Sequence, residues 1–246
     1  MTEIEPEIQI SETLAPLDVA RRCKHLMTEY RKIYIDHQQV RTSDPPVPTR
    51  GHEVIHQALD YGVGTTDGVI HFLELGQPWF AANIVRAYFE LALRMMWCRI
   101  GTKNAWLELI GSWAKETIKA ADRSVKDLGQ DPLTKTAREL LTEQASHAPR
   151  KPPTLHAMLE AIAARQPSAA VRAHIERTYA ELFTGSLHQA AHVNLAFLSL
   201  HWPGKDPLAI GAALVRACWW VINSSYLYIA WNDAQAIEFM NSHFKV

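Results

Sequence analysis

Residues 81–100, AANIVRAYFELALRMMWCRI, limit what this chain can fold into more than any other stretch. Ile84, Val85, Tyr88, Phe89, Leu91, Ala92, Leu93, Met95 and Met96 make it apolar on most sides of a helix. Asn83, Arg86, Glu90 and Arg94 interrupt it. At 100° per residue, the last three fall within roughly 80° of one another, with Asn83 and Trp97 in the same wedge. A surface helix shows a broad polar face. This one shows a narrow stripe, which predicts a central helix whose stripe reaches a slot or an internal polar site. Arg86–Glu90 and Glu90–Arg94 are both i,i+4 pairs, so the charges can neutralise each other. The stripe is therefore either a structural ion-pair ladder or the floor of a functional site.

Around that helix the chain reads as helical throughout. Apolar residues recur at helical spacing over 16–40, 50–76, 104–128, 133–146, 155–165, 168–201 and 208–231, and no strand alternation or internal repeat is found. The expectation is an all-α fold: one bundle-like domain over 13–246, of about eight helices, behind an acidic arm at 1–12. RTSDPPVPT (41–49) and HAPRKPPT (147–154) break the pattern because consecutive prolines cannot continue a helix. GQP (76–78) does so briefly, which predicts a tight αα-hairpin between 50–76 and the central helix. Gly62, Gly64 and Gly68 weaken helix propensity there and are read as points of close helix approach.

The 246 residues are 48% hydrophobic and 21% charged, enough apolar material for a sizeable core. A net charge of −1 gives no global support for nucleic-acid binding. Cys23, Cys98 and Cys218 are far apart and form no CxxC, so buried, reduced thiols and a cytoplasmic protein are expected. The N-terminus lacks the pattern of a signal peptide. Residues 208–231 are long enough to cross a membrane, but Arg216, Asn223, Ser224 and Ser225 in their middle argue for a buried helix instead. No glycine motif for a cofactor is present, so none is expected.

Two histidine patterns carry candidate chemistry. On 179–201, Glu181, Thr184, His188, His192 and Ser199 share one helical face. His188 and His192 have the spacing of metal ligands and equally suit proton transfer near neutrality. His52-Glu53-Val54-Ile55-His56 is a literal HExxH, with Glu74 downstream as a third ligand. Its place just after a proline-rich loop puts it in a first helical turn, and it reads mainly as a fortuitous helix start. Arg-x(4–6)-His, the ribonuclease motif of HEPN proteins, occurs at Arg31–His37, Arg50–His56 and Arg150–His156, about as often as chance allows.

HFLELGQPWFAANIVRAYFELALRMMWC resembles the hallmark hairpin of a bacterial all-helical family of unknown function. In that family a helix ending in Leu-x-x-Gly precedes one with Ala-x-x-Φ-x-Arg-x-x-Φ-Glu, where Φ is apolar. Leu73, Gly76, Ala82, Arg86 and Glu90 match it, and Tyr179, Ser186 and His188 resemble the family's late Tyr…Ser…His helix. The resemblance implies an intracellular, HEPN-like helical protein with a phage-defence or toxin-type role. It also implies that Arg86, Glu90 and His188 share one site.

The sequence thus points to metal-independent cleavage of RNA by Arg86, Glu90, His188 and His192, with RNA as partner, self-association or a protein partner besides, and no membrane. One alternative is a non-enzymatic helical interaction or immunity protein, with an apolar patch from Trp219, Trp220 and Trp231. Another is a metal-dependent hydrolase using His188 and His192.

Overall fold

The computed structural model describes residues 14–38, 49–101, 104–149, 153–166, 168–183 and 207–244. Among them are nine α-helices and no strand. They are α1 (Pro16–Gln38), α2 (Thr49–Glu74), α3 (Pro78–Ile100), α4 (Ala105–Leu128), α5 (Lys135–Ala145), α6 (Leu155–Ala163), α7 (Ala169–Phe183), α8 (Pro207–Ser225) and α9 (Asp233–Phe244). A 3₁₀ turn, Tyr226–Ile229, links the last two. The all-α expectation holds. Among the described residues no helix is long and apolar enough to cross a membrane.

The hairpin between α2 and α3 forms as its sequence dictates. Gly76 takes φ +66°, a left-handed conformation that suits a residue without Cβ. Its N–H donates to the Leu73 carbonyl at 3.1 Å, and the Gln77 N–H donates to the Phe72 carbonyl at 2.8 Å. These two bonds make a Schellman cap. Leu-x-x-Gly is therefore a helix stop written in sequence, with Leu73 supplying one carbonyl and Gly76 the reversal. Pro78 then opens α3, where its missing N–H and fixed φ cost nothing.

α3 is the centre of the bundle. Val85, Tyr88, Phe89, Ala92, Leu93, Met95 and Met96 are fully buried. Its largest interface is with α8, and it also packs on α2, α4, α6 and α7. Trp219 and Trp220 of α8 are buried, and the Trp220 ring lies 4.9 Å from that of Phe89. Burying each such side chain stabilises the fold by about 1.5–3 kcal/mol. α1 closes another side with Cys23, Met27, Tyr30 and Tyr34 inward. Gly62 of α2 admits these neighbours: a Cβ there would lie 2.8 Å from Met27 Cε and closer still to the Tyr88 hydroxyl. Every described helix except α5 contributes buried residues to one apolar cluster, and α5 packs on α4 instead. The three cysteines are free and buried, as expected.

One boundary differs from expectation. Residues 208–231 are not a single helix: α8 ends at Ser225, the 3₁₀ turn follows, and Ala230 takes φ +64°. Ser224 Oγ donates to the Trp220 carbonyl at 2.6 Å, and Ser225 Oγ to the Val221 carbonyl at 2.8 Å. Hydroxyls bonding back one turn compete with backbone N–H groups and loosen a helix. Two of the residues that argued against a membrane span, Ser224 and Ser225, are thus found at the helix end.

Candidate active site on the central helix

Arg86, Glu90 and Arg94 occupy the α3 stripe as expected, but the ladder is only half formed. Both Nε and Nη2 of Arg94 donate to Glu90 Oε1, at 3.2 and 2.7 Å. Arg86 lies within one turn of Glu90 yet turns toward α7, its guanidinium carbon 5.0 Å from the centre of the Phe183 ring. Among the described residues it makes no ion pair.

α7 supplies the other wall. Tyr179 and Phe183 are i,i+4 neighbours with stacked rings 4.7 Å apart. Burial raises the Tyr179 hydroxyl above its ordinary pKa; the Glu90 charge raises it further, and Arg86 opposes the rise. Tyr179 therefore remains a hydrogen-bond donor within the field of both α3 charges. From α6, His156 brings its ring to 5.9 Å from Tyr179 while its Nε2 lies 3.4 Å from Glu160 Oε1. Asn83 opens the stripe, and its buried Oδ1 has no hydrogen-bond partner among the described residues.

The arrangement is a half-exposed guanidinium backed by an aromatic ring, beside a hydroxyl donor and a neutralised carboxylate. Such a set has the donors that an oxyanion or a phosphate accepts from. His188, His192, Ser186 and Ser199 lie outside the described residues, as does the Glu181 side chain. α7 is described as far as Phe183, whose ring faces Arg86. Tyr179 entered the sequence reading through the family likeness alone. Phe183 was not singled out, although its i,i+4 relation to Tyr179 is visible in the sequence.

HExxH folds as the opening of α2 and is spent on packing. The Tyr34 hydroxyl lies 2.9 Å from His52 Nδ1, and its ring stands edge-on to His56 at 5.2 Å. His52 also meets Tyr228 of the 3₁₀ turn at 5.7 Å. Burial lowers the His52 pKa, and neighbouring His56 lowers it further. Glu53 is exposed. Glu74 cannot be a third ligand: it lies 18 residues beyond His56 on the same helix, about 27 Å along the axis. It bonds Arg21 of α1 at 3.0 Å instead. Of the Arg-x(4–6)-His pairs, Arg31 is engaged with Asp60, and Arg150 lies outside the described residues.

A second polar centre joins α3 to the C-terminal turn. Arg99 donates to the Asn223 carbonyl and, at 2.6 Å, to the Tyr226 hydroxyl, which in turn donates to Asp233. Each group there is taken up by another, so the cluster reads as a structural pin.

The Trp patch does not exist as expected. Trp219 and Trp220 are in the core, and only Trp231 is partly exposed. The exposed large apolar side chains include Leu75 and Phe80 at the hairpin tip, where Phe80 stacks on Phe72 at 5.2 Å.

No known family model matches this chain, and neither the curated proteins nor the solved structures yield a match.

Proposed function

We propose that the α3–α7 face is the active site of an enzyme that cleaves RNA phosphodiesters without needing a metal. The observation that carries the reading is the divergence of Arg86 from Glu90. The stripe neutralises Glu90 with Arg94 and leaves the Arg86 fork set against an aromatic ring. A guanidinium so placed suits a phosphate, whose oxygens accept two parallel N–H bonds.

In this reading Arg86 holds a non-bridging phosphate oxygen, and the Tyr179 hydroxyl donates to the same group. A histidine from the stretch after α7, His188 or His192, takes the proton from the RNA 2′-hydroxyl. The 2′-oxygen attacks phosphorus and the bond to the 5′-oxygen breaks. The other histidine protonates that oxygen, leaving a cyclic phosphate and a free 5′-hydroxyl. In this reading Glu90, held by Arg94, serves to orient the histidine that takes the proton.

The test is cleavage of total and structured RNA by the wild type, Arg86→Ala and His188→Ala, each with and without EDTA. We expect cleavage by wild type alone, insensitive to EDTA, with losses of about 100-fold or more in both variants. Equal cleavage by Arg86→Ala would sink the reading.

A second reading rests on the hairpin tip. Leu75 and Phe80 are 55% and 46% exposed at the end of an otherwise well-packed hairpin. Exposed apolar side chains beside one another mark protein contact surfaces. Failure of the RNA assay, together with a protein partner captured by wild type and lost with Leu75→Ser/Phe80→Ser, would favour an interaction protein.

A further inference from the structure

We propose that His25, Glu29 and His243 form a Zn²⁺ site that clips α9 onto α1. His25 and Glu29 are i,i+4 neighbours on α1, so they project from one face. His243 comes from the last turn of α9, 214 residues after Glu29. One ligand atom from each lies within 4.8 Å of the others.

The carboxylate of Glu29 is bracketed. Its Oε1 lies 3.2 Å from His25 Nε2, and its Oε2 lies 2.9 Å from His243 Nε2. The two imidazole rings are 5.2 Å apart. His243 Nδ1 faces the Phe239 carbonyl at 2.9 Å, and a carbonyl only accepts, so the ring hydrogen sits on Nδ1. Nε2 then turns a lone pair toward a carboxylate that also only accepts. Two acceptors this close require a cation between them, either a proton or a metal ion. Nδ1–H donated to a backbone carbonyl is the outer contact that metal-bound histidines use to fix their tautomer.

The donor set identifies the metal class. Two imidazoles and one carboxylate select zinc and its transition-metal neighbours over Ca²⁺ or Mg²⁺, which want oxygen. The 3.2 and 2.9 Å distances run to different oxygens of Glu29, and one ligand atom from each residue lies within 4.8 Å of the others. Tetrahedral zinc holds its ligand atoms about 3.3 Å apart, so binding draws the exposed His25 and Glu29 side chains inward. His25 and Glu29 are 67% and 45% exposed while His243 is 6% exposed. The open side therefore faces water, which can fill a fourth position.

The test uses the full chain without a histidine tag, stripped of metal at pH 7.5 and titrated with Zn²⁺, with Ca²⁺ as control. We expect one zinc per chain and no Ca²⁺ uptake. Thermal midpoint should rise by about 5 °C at zinc a hundredfold above Kd. Amide exchange in α9 should slow. Exposed His25→Ala and Glu29→Gln keep the fold and should each weaken zinc by about 100-fold or more. His52→Gln and His188→Ala should leave it unchanged. Absence of saturable zinc uptake would overturn the proposal and leave the proton as the bridging cation. Unchanged uptake in His25→Ala and Glu29→Gln, or loss in His188→Ala, would also overturn it.

Discussion

Arg94 places two of its nitrogens on a single oxygen of Glu90, while Arg86, equally spaced from Glu90 on the other side, turns to the ring of Phe183. The two arginines thus have different parts. One neutralises the stripe, and the other is presented at the α3–α7 junction. Arg86→Ala should therefore change stability little, because it loses one aromatic contact and some stem packing. We expect less than about 1 kcal/mol by urea denaturation. Arg94→Ala should lose about 0.5–1 kcal/mol, since the pair is partly exposed and screened. A loss of several kcal/mol on removing Arg86 would make it a structural group and withdraw it from the site.

Two glycines two residues apart on α2 should respond with opposite signs. Gly62→Ala drives a Cβ against Met27 Cε and the buried Tyr88 hydroxyl, so these packed side chains must shift. We expect a loss of about 1–3 kcal/mol. At Gly64 nothing lies within 4 Å of the added Cβ, and alanine gains helix propensity there by about 0.5–1 kcal/mol. Thermal melts of both variants check the pair, and a stabilised Gly62→Ala would refute the packing described for the three helices.

How far the sequence could be read depended on whether a feature was local. The hairpin was legible because Gly76 and Pro78 act on their own backbone, through φ and a missing N–H. The burial of α3 was legible because its apolar residues cover most of a helix. The end of α8 was not, because Ser224 and Ser225 sit in an apolar run and act by bonding back to Trp220 and Val221. The choice between Arg86 and Arg94 as partner of Glu90 was not legible either. Spacing allows both, and Phe183, from another helix, accompanies the outcome. His243 meeting Glu29 is a tertiary event across 214 residues, which no local pattern announces.

Acid should destabilise the fold before its carboxylates titrate. Burial lowers the pKa of His52, with His56 adding to it, and burial lowers that of His174, with Arg216 and Arg177 adding. The folded state therefore holds both rings neutral at a pH where the unfolded chain, with histidines near 6.5, already binds protons. Stability from this source is full above about pH 6.5 and is lost as pH falls toward the lowered folded values. Denaturation midpoints between pH 7.5 and 5 should fall in wild type and fall less in His52→Gln/His174→Gln. Parallel curves would show that other groups set the acid limit.

The Arg99 pin should be the most sensitive polar contact among the described residues. Its guanidinium joins the Asn223 carbonyl at the end of α8 to Tyr226 in the 3₁₀ turn, lies 3.8 Å from Asp233 at the start of α9, and covers the Tyr226 ring at 4.5 Å. Removing it takes the donor from the Asn223 carbonyl and leaves the Tyr226–Asp233 hydrogen bond without its neighbouring cation. Asp233 is 29% exposed, so water recovers part of the loss, and Arg99→Met should cost about 2–3 kcal/mol rather than the full value of a broken buried pair. Asp233→Asn alone should cost less, because the amide oxygen still accepts from Tyr226. A double-mutant cycle in urea should return a coupling of about 1 kcal/mol or more between the two positions. Additive losses would mean that Arg99 works through α8 and the Tyr226 ring, and that α9 is held by its apolar face of Ala236, Met240 and Phe244.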